Sequence, residues 1–315
     1  MKIALLFPGQ GSQKVGMGLQ LAQQFPAAKA VFEQADDALG IRLSRLCFEG
    51  PEEELRLTAN TQPAILTTSI AALRALQSEL PLTPELAAGH SLGEYSALVA
   101  AGALDFADAV RAVRERGRLM QEACPAGQGA MAALIGLEMD IVREVCKTAC
   151  GGHEIVVPAN LNAPGQIVVA GHTAAVRRAV GIAKERGGRM SVELNVSAPF
   201  HCPLMKPAQE RMAPVLAAVT VKPLSFGVIA NVDAQVNRDP GRVVPLLVEQ
   251  ITAPVKWEDS MRTLVAAGVT NAVELGAGRV LSGLMRRISR DVTMHPVEDP
   301  ASLAAAVTAL GGLQA

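Results

Sequence analysis

The stretch ELAAGHSLGEYSALVAAG, residues 85–102, has the pattern of a short apolar strand, a tight turn and an alanine-rich helix. Within it, residues 89–93 (GHSLG) match G-x-S-x-G, the nucleophile elbow. In an elbow the serine is strained between strand and helix, and flanking glycines avoid the side-chain collisions that would occur there. The first turn of the helix also offers free N–H groups. We therefore predict that Ser91 is a nucleophile and not merely the N-cap of a helix.

Short strands and helices alternate on both sides of this stretch. Strands are predicted at 2–7, 85–90, 226–230 and 271–275. Helices are predicted at 18–25, 26–39, 62–80, 92–101, 203–219, 240–251, 257–267 and 279–290. Strands that are joined through helices lie parallel in a sheet with both faces covered. The sequence therefore predicts an α/β fold whose large subdomain is α/β-hydrolase-like and contains a parallel sheet.

A different order of elements occupies residues 127–196. Strands are predicted at 130–136, 155–157, 166–170 and 190–194, and helices at 139–150 and 173–186, with the turn-rich PANLNAPG joining the two middle strands. This βαββαβ order is that of a ferredoxin-like unit, complete within about 70 residues. We predict that 127–196 is a ferredoxin-like small subdomain, inserted in a large subdomain made of 1–126 and 197–315.

The composition argues against several classes of function. The 29 Lys and Arg residues nearly balance the 30 Asp and Glu residues, so no overall positive charge attracts nucleic acid or an anionic membrane. The apolar start is too short for a signal peptide, and no apolar stretch of about 18 residues is present. Five cysteines form a sparse, odd set, as in a reduced cytosolic protein. We expect a cytoplasmic protein that binds neither nucleic acid nor membrane.

A serine nucleophile needs a base, and the chain has five histidines. His201 is a candidate, because it lies in the loop SAPFHCPLM after a predicted strand and follows the serine in the chain. His90 adjoins the serine on the other side of the elbow, so we expect it to pack or orient the turn. Cys202 is a weaker candidate nucleophile than the elbow serine. The spacing C-x3-C-x2-H that ends at His153 lacks a fourth ligand nearby, so we expect no metal site.

Backbone N–H groups near the elbow are candidates for an oxyanion hole. The loop PGQGSQ, residues 8–13, directly follows the first predicted strand, and its glycines let the backbone approach a ligand. The N–H of Gln10 can therefore act together with the N–H of Leu92, the residue after the serine. The loop matches neither a dinucleotide fingerprint nor a phosphate-binding loop. These mismatches count against nucleotide chemistry.

The helical pattern ADAVRAVRERGRLMQEA, residues 107–123, contains four arginines. Most of them should form a solvated face. An arginine that points inward is costly unless it meets an anion. Periodicity does not decide which of the four points inward.

The motifs PGQGSQ, GHSLGEYSA, RERG, PFHC and VEQITAPVKW occur in this order and together resemble the malonyl-CoA:acyl carrier protein transacylase family of fatty-acid synthesis. The resemblance spans nearly the whole chain and is greatest to the free-standing bacterial type. It implies transfer of a malonyl group from malonyl-CoA to the phosphopantetheine thiol of acyl carrier protein, through a malonyl-serine intermediate and without a cofactor of the enzyme.

The resemblance implies a role for each matching residue. Ser91 becomes acylated, and His201 is its base. Arg116 makes a two-pronged salt bridge to the malonyl carboxylate, which an acetyl group lacks. Gln250 orients the histidine through its backbone carbonyl, so that no acidic third member is required.

Four further residues are implied to surround the reacting atoms. The N–H groups of Gln10 and Leu92 form the oxyanion hole. Gln62 of TQPA lies near the active site. Phe200 precedes the catalytic histidine, and its bulky ring should leave little room for an α-branched acyl group.

The resemblance also implies a partner. Acyl carrier protein is acidic, so a transient, electrostatic complex needs a local basic surface on this near-neutral chain. The candidate residues are Lys184, Arg186, Arg189, Arg286, Arg287 and Arg290. We expect the protein itself to be a monomer.

Three alternatives stay open from the sequence. A serine thioesterase or hydrolase shares the elbow, base and oxyanion hole, but would usually orient its histidine with an acid and would not need an arginine in the pocket. A trans-acting acyltransferase of a polyketide synthase has the same chemistry with another carrier protein. A catalytically silent carrier-binding module would not need the intact set of serine, histidine and arginine.

Overall fold

The computed structural model describes residues 2–125, 127–194, 196 and 198–312. The strands are β1 (Ile3–Phe7), β2 (Leu86–Gly89), β3 (Gly129–Ile135), β4 (Val156–Ala163), β5 (Gln166–His172), β6 (Met190–Glu193), β7 (Gly227–Ile229), β8 (Val236–Asn237), β9 (Asn271–Leu275) and β10 (Thr293–Val297). The helices are α1 (Leu19–Gln24), α2 (Pro26–Leu39), α3 (Leu43–Glu49), α4 (Glu52–Arg56), α5 (Thr58–Glu79), α6 (Gly93–Ala100), α7 (Phe106–Glu122), α8 (Met139–Ala149), α9 (Thr173–Glu185), α10 (Lys206–Ala217), α11 (Val243–Gln250), α12 (Trp257–Ala266), α13 (Val280–Ile288) and α14 (Pro300–Gly311).

The first sheet is largely parallel and has the strand order β10-β9-β1-β2-β7-β8. Its central strand β1 pairs in parallel with both β2 and β9, and the two-residue β8 pairs with β7 in the antiparallel sense. All five residues of β1, IALLF, are buried, as expected for a strand with helices on both faces. The predicted α/β fold is confirmed, and the strands predicted at 226–230 and 271–275 belong to this sheet.

The second sheet is antiparallel and has the order β4-β5-β3-β6. Together with α8 and α9 it has the strand order of a ferredoxin-like unit and its own apolar core. Its elements lie between Gly129 and Glu193. We propose that 127–196 is the inserted subdomain; the boundary residues Ala126 and Ser197 lie outside the described residues.

Two predicted boundaries differ from the structure by at least four residues. The strand predicted at 155–157 continues as β4 to Ala163, because irregularities in its register to β5 let four of the eight residues of PANLNAPG remain paired. The helix predicted from residue 62 begins at Thr58, where the carbonyl of Leu57 accepts hydrogen bonds from the N–H groups of Asn60 and Thr61. The elements α3, α4, β8, β10 and α14 were not predicted.

The carboxyl ends of β1 and β2 bring the loop 8–13 and the elbow together. The N–H of His90 donates to the carbonyl of Phe7 at 3.0 Å, which extends the pairing of the two strands. A Cβ at Gly9 would collide with the carbonyl oxygen of His90, so this close approach requires glycine. Over the described part of the chain, no helix is long and apolar enough to cross a membrane.

Candidate active site

Ser91 occupies the turn between β2 and α6 in a left-handed conformation, with φ 51°. Residues other than glycine are uncommon there, and such strain is concentrated at functional sites. A Cβ at Gly89 would collide with the carbonyl of Gly93, and a Cβ at Gly93 would collide with the carbonyl oxygen of Phe7. Both glycines are therefore required by backbone packing. The sequence from strand to helix folds into an elbow with the serine at its tip.

His201 and Ser91 are hydrogen-bonded, although 110 residues separate them. The His201 Nε2 atom lies 2.7 Å from Ser91 Oγ, and its Nδ1 atom lies 2.9 Å from the backbone carbonyl oxygen of Gln250. Because a carbonyl only accepts, Nδ1 carries the proton, and Nε2 is free to accept the serine proton. Burial and the nearby charge of Arg116 lower the pKa of His201 to about 3. The imidazole is therefore neutral at pH 7, as a general base must be.

Arg116 is the arginine of α7 that points inward, and its side chain is 1% exposed. Its Nη1 donates to Gln62 Oε1 at 2.8 Å. Its Nη2 donates to Gln250 Oε1 at 2.8 Å and to Ser91 Oγ at 3.2 Å. By contrast, Arg118 is exposed and paired with acidic side chains of its own helix. The structure thus brings Arg116 and Gln250 into contact with the serine, and Gln62 into contact with the arginine.

Gly117, the residue after Arg116, explains how this arginine reaches the site. A Cβ at Gly117 would collide with the backbone carbonyl of Thr58 at the start of α5. The missing side chain lets α7 pack closely against the segment of α5 that carries Gln62. Close packing of these two helices puts the guanidinium against the amide of Gln62.

The guanidinium of Arg116 has neutral partners. No acidic side chain within the described residues lies within 4.0 Å of it, and its Nε is buried without a hydrogen-bond partner. Its partners are two amide oxygens, the hydroxyl of Ser91 and the ring of Tyr95, 5.6 Å from the guanidinium carbon. None of them carries a full negative charge, and burial lowers the pKa of Arg116. The site is therefore suited to an anionic group that enters beside Ser91.

The two candidate oxyanion donors lie at the ends of neighbouring strands. Gln10 follows β1, and Leu92 is the N-cap of α6. Within the described residues, neither backbone N–H donates a hydrogen bond to another group of the protein. The N–H of Leu92 also lies at the positive end of the dipole of α6. Both N–H groups are thus free for a developing negative charge.

A cleft of about 540 Å³ opens onto the serine. This volume falls in the range of small-molecule sites. Its polar lining includes Gln10, Gln62, Ser91, Arg116 and His201, and its apolar lining includes Met120, Met131, Leu194, Val196 and Phe200. Because Met131 belongs to β3, the cleft is bounded by both sheets. The predicted Phe200 is 7% exposed and faces this cleft.

Sequence reasoning missed two buried polar residues behind the elbow. Asn231 Oδ1 accepts the N–H of Ser91 at 2.7 Å, and its Nδ2 donates to the carbonyl of Gly89 at 2.8 Å. Glu94 accepts a hydrogen bond from the backbone N–H of Asn231 at 3.0 Å. The motif GHSLGE contains this glutamate, but an acid in the first turn of a helix is ordinary. No local signal identifies Asn231.

Within the described residues, no hydrogen bond joins the Ser91 side chain to a cysteine or to a histidine other than His201. His90 Nε2 lies 2.8 Å from Asn162 Oδ1, and its ring packs beside Trp257. Cys202 is buried, its thiol donates to the carbonyl of Pro199, and burial raises its pKa to about 12. Among the described residues, no group of three or more His, Cys, Asp or Glu side chains is placed to hold a metal ion.

Comparison with known proteins gives consistent matches. The family model described as an acyl transferase domain matches residues 4–306. A protein of Bacillus subtilis named malonyl CoA-acyl carrier protein transacylase is 49% identical over 309 residues, which are 98% of this chain and 97% of the relative. The protein of the same name from Escherichia coli K12 is 45% identical over 306 residues, which are 97% of this chain and 99% of the relative.

Solved structures match over the same length. The acyl-carrier-protein S-malonyltransferase of Burkholderia pseudomallei has a TM-score of 0.95 and 45% identity, and the match covers 98% of this chain and 100% of that one. A malonyl-transacylase in complex with a type II PKS acyl-carrier protein has a TM-score of 0.96 and 44% identity, with 98% and 100% coverage. At these identities the likeness extends beyond the fold to the sequence of the whole chain.

Proposed function

The chain belongs to the acyl transferase family that contains the malonyl CoA-acyl carrier protein transacylases, and we propose that it transfers malonyl from malonyl-CoA to the phosphopantetheine thiol of acyl carrier protein. The product supplies extender units for fatty-acid biosynthesis. One observation carries the proposal: Ser91 Oγ lies 2.7 Å from His201 Nε2 and 3.2 Å from Arg116 Nη2. A base, His201, and a cation that can bind a carboxylate, Arg116, are thus both in contact with the same nucleophile.

In the first half-reaction, Ser91 Oγ attacks the thioester carbonyl while His201 Nε2 takes its proton. The N–H groups of Gln10 and Leu92 stabilise the oxyanion of the tetrahedral intermediate. The carbon–sulfur bond then breaks, the sulfur takes the proton from His201, and CoA leaves as the thiol. The malonyl group remains on the serine as an ester.

The second half-reaction runs the same steps in reverse with another thiol. The phosphopantetheine thiol of the carrier gives its proton to His201, and its sulfur attacks the ester carbonyl. The serine oxygen leaves and regains the proton. The backbone carbonyl of Gln250, 2.9 Å from Nδ1, keeps the imidazole oriented through both halves.

Arg116 is proposed to select the acyl group. Its buried Nε has no partner, and its other nitrogens already hold amide oxygens, so the donor set is oriented before a substrate enters. A malonyl carboxylate gains charge-assisted hydrogen bonds that an acetyl group cannot make. Gln62 holds the arginine from one side, and the ring of Phe200 limits the space for an α-branch.

The arrangement favours a transferase over a hydrolase. A carbonyl oxygen of Gln250 and not a carboxylate orients His201, and a buried cation lies beside the serine. We propose that the protein acts in the cytoplasm as a monomer and needs no cofactor beyond the phosphopantetheine of its carrier. The similarity to a malonyl-transacylase bound to a polyketide carrier supports a polyketide-type carrier protein as the second candidate partner.

Basic residues outside the cleft are proposed to meet the acidic carrier in a transient complex. Arg286, Arg287 and Arg290 are exposed in and after α13, and within the described residues they form no ion pair. In the small subdomain, Arg186 is paired with Glu144 at 3.5 Å, whereas within the described residues Lys184 and Arg189 form no ion pair. We favour the group of Arg286, Arg287 and Arg290, because none of its three charges is compensated.

The experiment is a transfer assay with malonyl-CoA and two forms of acyl carrier protein. The holo form carries the phosphopantetheine thiol, and the apo form is the matched control without it. We expect malonyl transfer to the holo form alone. Release of free malonate at the same rate with and without holo carrier would identify a hydrolase instead.

A further inference from the structure

Glu94 is a buried carboxyl group behind the elbow that the proposed chemistry does not use. It lies in the first turn of α6, and its side chain is 3% exposed. Its Oε2 accepts hydrogen bonds from Gln250 Nε2 at 2.8 Å and from the N–H of Asn231 at 3.0 Å. Burial raises the pKa of Glu94 to about 7. An acid this strongly desolvated is costly to keep, so its hydrogen bonds need an explanation.

The contacts of Glu94 fix the direction of the Gln250 amide. Gln250 Nε2 donates to Glu94 Oε2 and, at 3.0 Å, to the carbonyl of Ser91. Its Oε1 accepts from Arg116 Nη2 at 2.8 Å. A flipped amide would put its NH2 group against the donors of the arginine and its oxygen against two acceptors. The side-chain amide of Gln250 therefore has one favourable orientation, with its NH2 group toward Glu94 and the Ser91 carbonyl and its oxygen toward Arg116.

The position of Arg116 depends on that orientation. Its guanidinium is held by the amide oxygens of Gln62 and Gln250. The nitrogen that contacts Gln250 also donates to Ser91 Oγ at 3.2 Å. Loss of the Gln250 oxygen would remove one of two supports from a buried cation. The guanidinium could then turn away from the serine.

Glu94 and Arg116 attract one another without touching. The charge of Arg116 counteracts the rise in the pKa of Glu94, and the Gln250 amide lies between the two groups. A carboxylate in direct contact would neutralise the cation that the substrate carboxylate needs. An acid placed one amide away supports the cation without forming an ion pair with it.

We propose that Glu94 is a positioning residue for acyl-group selection: it fixes the Gln250 amide and so directs Arg116 at the malonyl carboxylate. The inference rests on the proposed function. His201 contacts the backbone carbonyl of Gln250 and not its side-chain amide. Glu94 therefore acts on the preference for malonyl over acetyl more than on proton transfer between Ser91 and His201.

The test compares serine acylation by malonyl-CoA and by acetyl-CoA, as the ratio of the two second-order rate constants. In Glu94→Ala the acceptor is lost, and we expect the ratio to fall by about tenfold or more. In Glu94→Gln an acceptor oxygen remains, so we expect the ratio to stay within about threefold of wild type. The rate at which a fluorophosphonate labels Ser91 reports the reactivity of the nucleophile alone. In Glu94→Ala we expect this rate to fall by a smaller factor than the malonyl-to-acetyl ratio.

Glu274→Ala is the matched control. Glu274 is fully buried and accepts from the N–H groups of Leu281 and Ser282 at 2.8 Å, away from the cleft. Its loss should lower stability and leave the ratio unchanged. If Glu94→Ala does not fold, Glu94→Asp is used in its place. The shorter side chain moves the acceptor oxygen away from Gln250, so the ratio in Glu94→Asp should be lower than in Glu94→Gln.

An unchanged ratio in Glu94→Ala or Glu94→Asp would overturn the inference. An equal fall in both acylation rates and in the rate of fluorophosphonate labelling would also overturn it, because that pattern indicates a general loss of structure. Selectivity that is lost in Arg116→Ala and retained in Glu94→Ala would remove the role of Glu94 alone. A wild-type protein that is not acylated by malonyl-CoA would remove the proposed function itself.

Discussion

Ser91 and His201 meet at 2.7 Å, and both have left-handed backbone conformations, with φ 51° and 58°. Each strained residue is held by a buried amide side chain or carbonyl from elsewhere in the chain. The N–H of Ser91 donates to Asn231, and Nδ1 of His201 donates to the carbonyl of Gln250. The fold thus maintains strain on both sides of the hydrogen bond that the proposed proton transfer requires.

Substitution of an elbow glycine should be strongly destabilising. In Gly93→Ala the new Cβ collides with the backbone carbonyl of Phe7, so α6 must move away from β1. We expect a loss of about 3 kcal/mol or more in the free energy of unfolding, measured by urea denaturation. The control is Gly181→Ala in α9, where nothing lies within 4 Å of the added Cβ and a gain of about 0.5–1 kcal/mol is expected. Equal effects of the two substitutions would contradict the elbow geometry.

Removal of the buried cation should abolish the preference for a carboxylate. In Arg116→Ala we expect malonyl loading of Ser91 to slow by about 100-fold or more, while acetyl loading changes far less. Arg118→Ala, two residues further along α7, is the control, because Arg118 is exposed and contacts Glu115 and Glu122. The measurement is the rate of acylation with each CoA thioester. A parallel fall with both thioesters would show that Arg116 supports the structure and not selection.

The pH dependence of acylation should lack the usual histidine inflection. The pKa of His201 is lowered from 6.5 to about 3, so the folded protein keeps the neutral base throughout the window between these values. We therefore expect kcat/KM for malonyl-CoA to show no acid limb from His201 near pH 6.5. Glu94 titrates near pH 7, and the Glu94→Gln variant removes its contribution. An inflection near pH 6.5 that persists in this variant would contradict a neutral, desolvated His201.

Thiol reagents should leave acyl transfer intact. Cys150 is exposed, whereas Cys202, next to His201 in the chain, is buried, and burial raises the pKa of Cys202 to about 12. Because the thiolate is the reactive form, iodoacetamide should modify Cys150 and spare Cys202. Peptide mass spectrometry locates the modification, and Cys150→Ser should abolish it. Inactivation that follows modification of Cys202 would be the contrary result.

Local sequence was sufficient to predict those parts of the structure that are determined by residues close together in the chain. The elbow is encoded by strand, glycine spacing and helix within residues 85–102, and the βαββαβ order was readable within a single segment. The edge strand β10 was missed because TMHPV contains a proline and a histidine, which weaken the strand pattern. Proline is tolerated there because β10 lies at the edge of the sheet and has one neighbour.

The interior of the site depends on contacts that local patterns do not contain. Helical periodicity did not single out Arg116, whose inward position follows from the contact between Gly117 and the backbone of Thr58. The hydrogen bond between Asn231 and Glu94 joins residues 137 positions apart. The family resemblance supplied the roles proposed for the catalytic residues, but it did not indicate this buried network.

The most direct measurement is the intact mass of the protein after mixing with malonyl-CoA, for wild type and for Ser91→Ala. The account predicts one malonyl adduct on wild type, none on Ser91→Ala, and loss of the adduct when holo acyl carrier protein is added. An adduct that also forms on Ser91→Ala, or free malonate without any adduct on wild type, would contradict transfer through a malonyl ester of Ser91.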